Sequence, residues 1–120
     1  MILLDSNTII YLSKGMIDID TVLEKNDHYA ISVITYMEVL GYKFNSNSEE
    51  EIIKKLLALF DILYIDETIA EVVIDIRKAK QVKLPDAIIC ATAIVNDSIL
   101  ITSDIRLKTI ENLKFKILDV

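Results

Sequence analysis

A chain of 120 residues holds one domain with a substantial core and is too short for two. Its 52% hydrophobic and 27% charged residues exclude a disordered protein, and only 2 glycines and 1 proline argue against a turn-rich all-β fold. A net charge of −6 is unlike a typical nucleic-acid surface, yet eight of the 13 basic residues fall between Arg77 and Lys116.

In chain order, Met1-Ile2-Leu3-Leu4 is a short apolar run that reads as a buried strand ending at Asp5. Ser6-Asn7-Thr8 opens a helix through about Ser13, and Lys14-Gly15 closes it. Asp18 to Asp27 carries Ile19, Val22 and Leu23 on one face, which predicts a second short helix. Tyr29 to Ser32 is a strand, and Ser32 caps a helix expected to run from Val33 to about Phe44. Ser48-Glu49-Glu50-Glu51 has the form of a capping box, with Glu50–Lys54 and Glu51–Lys55 in the favourable i,i+4 order. Ile62 to Ile65 is a third strand, followed by an Asp66-capped helix with Ile69, Val72, Val73 and Ile76 as its apolar stripe.

Leu84-Pro85 ends a charged loop, and proline suits the first turn of a helix. From Ala87 to Val95 that helix is apolar on every face except at Thr92, so it should be buried all round. The run is about half the length of a membrane span. No basic region precedes the N-terminal apolar run, so no signal peptide is expected. Cys90 reads as a packed thiol in a reducing compartment, which points to the cytoplasm. Ser98 to Thr102 is a fourth strand; a short helix with Leu107, Ile110 and Leu113 leads to a last strand, Phe115 to Leu118. Strands separated by helices imply an α/β fold: a central, mainly parallel sheet of about five short strands with helices on both faces.

Four of the 19 acids stand apart from other charges. Asp5 is the lone charged side chain from Met1 to Ser13, Glu38 from Tyr29 to Tyr42, Asp86 from Leu84 to Asn96, and Asp104 from Ser98 to Ile105. Asp5 and Asp104 each follow a strand directly, at the carboxyl edge where open α/β sheets bind ligands. The βα topology brings the start of the Pro85 helix, with Asp86, to the same edge. Each acid also has a plain structural role open to it: Asp5 as a helix cap, Asp104 as a turn residue, Glu38 as the partner of a lysine, Asp86 as an anion at a helix start. Together they suggest a cation site, because clustered carboxylates repel unless a positive ion sits among them. An oxygen-only set suits Mg²⁺ or Mn²⁺. His28 is alone in a charged loop and Cys90 has no partner base, so neither offers a competing chemistry.

These stretches resemble the PIN domain, and most closely the VapC-type toxins of toxin–antitoxin pairs. The resemblance is carried by Leu3-Leu4-Asp5-Ser6-Asn7, Thr35-Tyr36-Met37-Glu38, Leu84-Pro85-Asp86-Ala87, and Leu100-Ile101-Thr102-Ser103-Asp104-Ile105-Arg106-Leu107, in register along the whole chain. It implies a three-layer domain with metal-dependent ribonuclease activity. Asp5, Glu38, Asp86 and Asp104 map onto the acidic residues that hold the ion, with Thr102 and Asn7 or Ser6 as polar helpers; beside the resemblance, Thr102 or Ser103 is placed to orient a water or a ligating carboxylate. Many relatives place the last acid three residues later, where this chain has Leu107. The resemblance further implies an antitoxin partner and a homodimer. Arg77, Lys78, Lys80 and Lys83 are the candidates for holding RNA phosphates, which fixes register and not sequence; a solvated helix tail is the alternative.

Other classes fit less well. A phosphatase of the haloacid-dehalogenase kind needs a second acid where this chain has Asn7, and a receiver domain needs an acid pair at the first strand. A catalytically silent PIN-like module that binds RNA or protein is expected to have lost one or more of the four acids.

Overall fold

The computed structural model describes residues 1–23 and 27–120. Five short strands alternate with helices: β1 (Ile2–Leu4), α1 (Ser6–Ser13), α2 (Ile19–Val22), β2 (Tyr29–Ser32), α3 (Val33–Leu40), α4 (Asn47–Leu57), β3 (Asp61–Leu63), α5 (Glu67–Ala79), α6 (Leu84–Val95), β4 (Ile99–Thr102), a 3-10 helix (Ile105–Thr109) and β5 (Lys114–Ile117). The strands form one sheet in the order β3-β2-β1-β4-β5, and every pairing is parallel.

The alternation of side chains along a strand explains the layers. On one face Leu3, Ala30 and Leu100 pack with Ile69, Val73 and Ile76 of α5 and with α6. On the other, Ile2, Leu4, Ile31 and Ile101 pack with Ile9 of α1, Val39 of α3 and Ile53 and Leu57 of α4. The central strands are therefore apolar at consecutive positions, as a sheet covered on both faces requires. Helix α6 is buried throughout Ala87–Ala93, including Thr92, whose hydroxyl donates to the Ile88 carbonyl at 2.7 Å. No helix among the described residues is long and apolar enough to cross a membrane.

Several element ends differ from the sequence expectation. Helix α3 stops at Leu40 instead of Phe44, closed by Gly41, whose N–H donates to the Met37 carbonyl at 2.9 Å. Glycine is a poor residue to continue a helix and a good one to end it. The cap of α4 is Ser46 and not Ser48: its hydroxyl accepts from the Glu49 amide at 3.2 Å, while Glu49 Oε2 accepts from the Asn45 amide at 3.3 Å. The box is thus Ser46-Asn47-Ser48-Glu49, shifted by two residues, and of the two expected charge pairs Glu50–Lys54 forms at 3.4 Å. The second helix is a single turn capped by Asp18, and residues 24–26 of its expected span lie outside the described residues. β3 begins one residue early and ends at Leu63, β4 starts at Ile99, and β5 runs from Lys114. The short helix before β5 is a 3-10 turn capped by Asp104.

Chain order and spatial order part company at one place. From β1 the chain steps outward to β2 and β3, then crosses back to β4 on the other side of β1. The carboxyl ends of β1 and β4 at this switch point are the edge where open α/β sheets bind ligands.

Candidate active site

Asp5 is the first residue beyond β1 and caps α1. Its Oδ1 accepts from the Thr8 amide at 2.9 Å and lies 2.6 Å from the Thr8 hydroxyl, which is also 3.1 Å from the Ile101 carbonyl. The Asp5 amide itself reaches Ile101 at 3.3 Å. This stitching holds a buried carboxylate at the switch point between β1 and β4, with Oδ2 outside the capping bonds. Its capping role and its place at the ligand edge coexist.

Asp86 lies in the first turn of α6, but the cap position is Lys83, which makes no side-chain cap bond. Among the described residues the Asp86 carboxylate takes no hydrogen bond or ion pair. Burial pushes its carboxyl above the ordinary range, and the carboxylates of Asp104, Glu38 and Asp5 push the same way, against the opposing Arg106 guanidinium. Each of the other three acids singled out in the sequence thus acts on Asp86. The buried Cys90 thiol, one turn further along α6, reports the same field: burial, then Asp86, Asp5 and Asp104, drives it to about 12.

Glu38 reaches the edge from α3, where it is exposed and its Oε1 accepts from the Ser6 hydroxyl at 2.7 Å. Ser6 also lies 3.3 Å from the Thr35 hydroxyl, so this polar helper ties α1 to α3. Asn7 lines a concavity of about 330 Å³ beside Ser6 and Glu38. Thr102, fully buried at the end of β4, accepts from the Asp104 amide at 3.0 Å and so shapes the turn that carries that acid. Ser103 lines a separate concavity with Tyr11, Met16 and Ile117.

Asp104 is engaged. Arg106 grips it with two parallel side-chain bonds, Nε to Oδ1 at 2.9 Å and a terminal N–H to Oδ2 at 2.6 Å, and the Arg106 amide adds a third at 3.0 Å to Oδ1. The guanidinium holds the Asp104 carboxyl below the usual range. Sequence reasoning does not single out this pair, because an i,i+2 spacing is no helix-face signal; only the 3-10 turn brings the two side chains together.

The expected basic set divides. Arg77, Lys78, Lys80 and Lys83 are all exposed and line one open concavity of about 530 Å³. Lys80 and Lys83 also line a second, of about 420 Å³, with Asp86, Asp104 and Arg106, whereas Arg77 and Lys78 do not.

Among the described residues, no three His, Cys, Asp or Glu side chains are gathered tightly enough to ligate one ion outright. The donor set still suits a hard cation. It is oxygen-only, it leaves Asp86 unpaired and Asp5 half-free, and Mg²⁺ takes one or two carboxylates with water in the remaining positions.

The family model for the PIN domain matches residues 2–113. Among solved structures, the chain is similar to one of a toxin–antitoxin complex from Klebsiella pneumoniae, with 34% identity over 94% of this chain and 95% of that one and a TM-score of 0.79. It is similar to a chain of VapBC-1 from nontypeable Haemophilus influenzae at 26% identity, covering 98% of each, with a TM-score of 0.78. Its fold also matches a chain of VapBC2 from Rickettsia felis, bound there to a promoter DNA fragment, at 22% identity over 99% of this chain and 100% of that one, with a TM-score of 0.86. No match to the chain was found among curated proteins. The three-layer α/β fold expected from the sequence is the fold observed, and the chain belongs to the PIN domain family.

Proposed function

We propose that this protein is a divalent-metal-dependent endoribonuclease and the toxin of a toxin–antitoxin pair. The observation that supports the reading is Asp86, buried in part, unpaired among the described residues, and acted on by the carboxylates of Asp104, Glu38 and Asp5. The similarity to the Klebsiella pneumoniae toxin–antitoxin complex supports an antitoxin as protein partner. A homodimer and a cytoplasmic location belong to the same reading.

Asp5 and Asp86 are the residues that would hold Mg²⁺ or Mn²⁺ directly, with Glu38 completing the set through water. Such an ion supplies Lewis acidity, making water nucleophilic at neutral pH and offsetting charge on the phosphate. The chain's own residues do the rest. The Thr8 amide and hydroxyl fix one oxygen of Asp5 and leave the other outside the capping bonds. Ser6 orients Glu38, and Thr102 holds the turn after β4. Lys80 and Lys83 flank the acids and are placed to take backbone phosphates. In-line attack of water on the phosphodiester leaves a 5′-phosphate and a 3′-hydroxyl.

Purified protein should cleave RNA with Mg²⁺ or Mn²⁺ and not in EDTA, and Asp5→Asn should remove the activity while a cooperative unfolding transition remains. Equal cleavage by wild type and Asp5→Asn would contradict this use of the carboxylates. No cleavage by wild type under any divalent ion would favour the silent binding module.

A further inference from the structure

We propose that Arg106, anchored by Asp104, grips an RNA backbone phosphate beside the metal site, and that Asp104 serves the site through Arg106 instead of as a direct metal ligand. The inference rests on the ribonuclease reading and assigns two residues within it.

Both oxygens of Asp104 are already in use. Oδ1 accepts from the Arg106 amide and Nε, and Oδ2 from a terminal N–H at 2.6 Å. A carboxylate so occupied has little lone-pair capacity left, and a cation brought to it would face a guanidinium at close range. The pair has a different use. Arginine has five N–H donors, and Asp104 takes two of them through one edge of the fork. Three remain, on a side chain that is 76% exposed. Arg106 lines the concavity of about 420 Å³ together with Asp86, Lys80 and Lys83. Planar guanidinium edges match phosphate oxygens, and a group pinned at one edge loses less freedom when it binds at the other. Arg106 is close enough to Asp86 to oppose the upward push on its carboxyl, so a phosphate held there lies beside the candidate metal ligand.

Steady-state cleavage of a short single-stranded RNA in Mg²⁺, measured across a salt series, tests this together with Mn²⁺ binding to the free protein by electron paramagnetic resonance. Arg106→Gln should lower kcat/KM about 10- to 100-fold, mainly through KM, as expected when a hydrogen bond to a charged group is removed. The log–log salt slope should become shallower by about 0.7. Mn²⁺ affinity of the Arg106→Gln and Asp104→Asn proteins should stay close to wild type, while Asp86→Asn should weaken it by about tenfold or more. Because the two residues act as one unit, the double variant should be little worse than either single one. Arg106→Lys should keep the salt slope while raising KM. An unchanged slope and KM in Arg106→Gln would make the pair a local structural bridge. Tighter Mn²⁺ binding with faster cleavage in that variant would make Arg106 an internal plug, and loss of Mn²⁺ binding in Asp104→Asn would make Asp104 a ligand. Each result overturns the proposal while leaving the ribonuclease reading intact. Failure of wild type to cleave RNA overturns both.

Discussion

Asp5 does two jobs with two oxygens, and the substitutions that separate them are predictable. Oδ1 caps α1, whereas Oδ2 takes no part in the capping bonds. Asparagine is as good a cap as aspartate, so Asp5→Asn should remove the charge at little structural cost. Asp5→Ala should be about 1 kcal/mol less stable than Asp5→Asn in urea titrations, because the Thr8 amide is left without its acceptor. Equal stability of the two variants would mean that the cap contributes nothing. Asp86 gives a pH signature. Its carboxyl is raised above 3.8 in the fold, so the native state holds that proton more tightly than the unfolded chain does. Stability from this group is therefore fully present below the ordinary carboxylate value and falls as pH rises through the native one. In EDTA, Asp86→Asn should gain stability over wild type as pH rises from about 4 to 7, and the gap should close at lower pH. A gap independent of pH would show that Asp86 titrates normally.

Among the elements, the strands and the two long helices α5 and α6 were legible because each has one dominant signal. Consecutive apolar residues mark the doubly covered strands, a 3.6-residue stripe marks α5, and unbroken apolarity marks α6. Element ends were less so. Two overlapping Ser-x-x-Glu patterns, from Ser46 and from Ser48, satisfy the same capping rule, and nothing local chooses between them. Ser46→Ala should cost about 1 kcal/mol and Ser48→Ala much less, as thermal or chemical unfolding will report. The four acids were legible as lone charges, but Asp104's engagement was not, since it depends on a turn geometry that places Arg106 back over its own cap. The stretch joining α5 to α6 divides in the same way. Lys80→Ala with Lys83→Ala should flatten the salt dependence of RNA binding by about 0.7 for each phosphate no longer held. Arg77→Ala with Lys78→Ala should change it less, because those two side chains lie away from the acids. An equal effect of both pairs would mean that the whole basic run acts as an undirected field.

For the whole molecule, net charge alone misleads. The chain carries −6, yet two lysines and an arginine share a concavity with Asp86 and Asp104. On the proposed function a cation completes the carboxyl edge of β1 and β4, and without one Asp86 bears the like charges of Asp104, Glu38 and Asp5. Removing the Asp86 charge should relieve the strain and weaken the metal linkage together. A purely structural anion at the start of α6 would do the reverse, since its charge would favour the helix by a few tenths to about 1 kcal/mol with or without metal. The most direct measurement is thermal unfolding of wild type and Asp86→Asn at neutral pH, each in EDTA and in excess Mg²⁺. With Asp5 and Asp86 holding the ion, the variant should melt higher than wild type in EDTA, and Mg²⁺ should raise the Tm of wild type by more than that of the variant. A variant that melts lower than wild type in EDTA and shows an equal Mg²⁺ shift would contradict a metal site at Asp86.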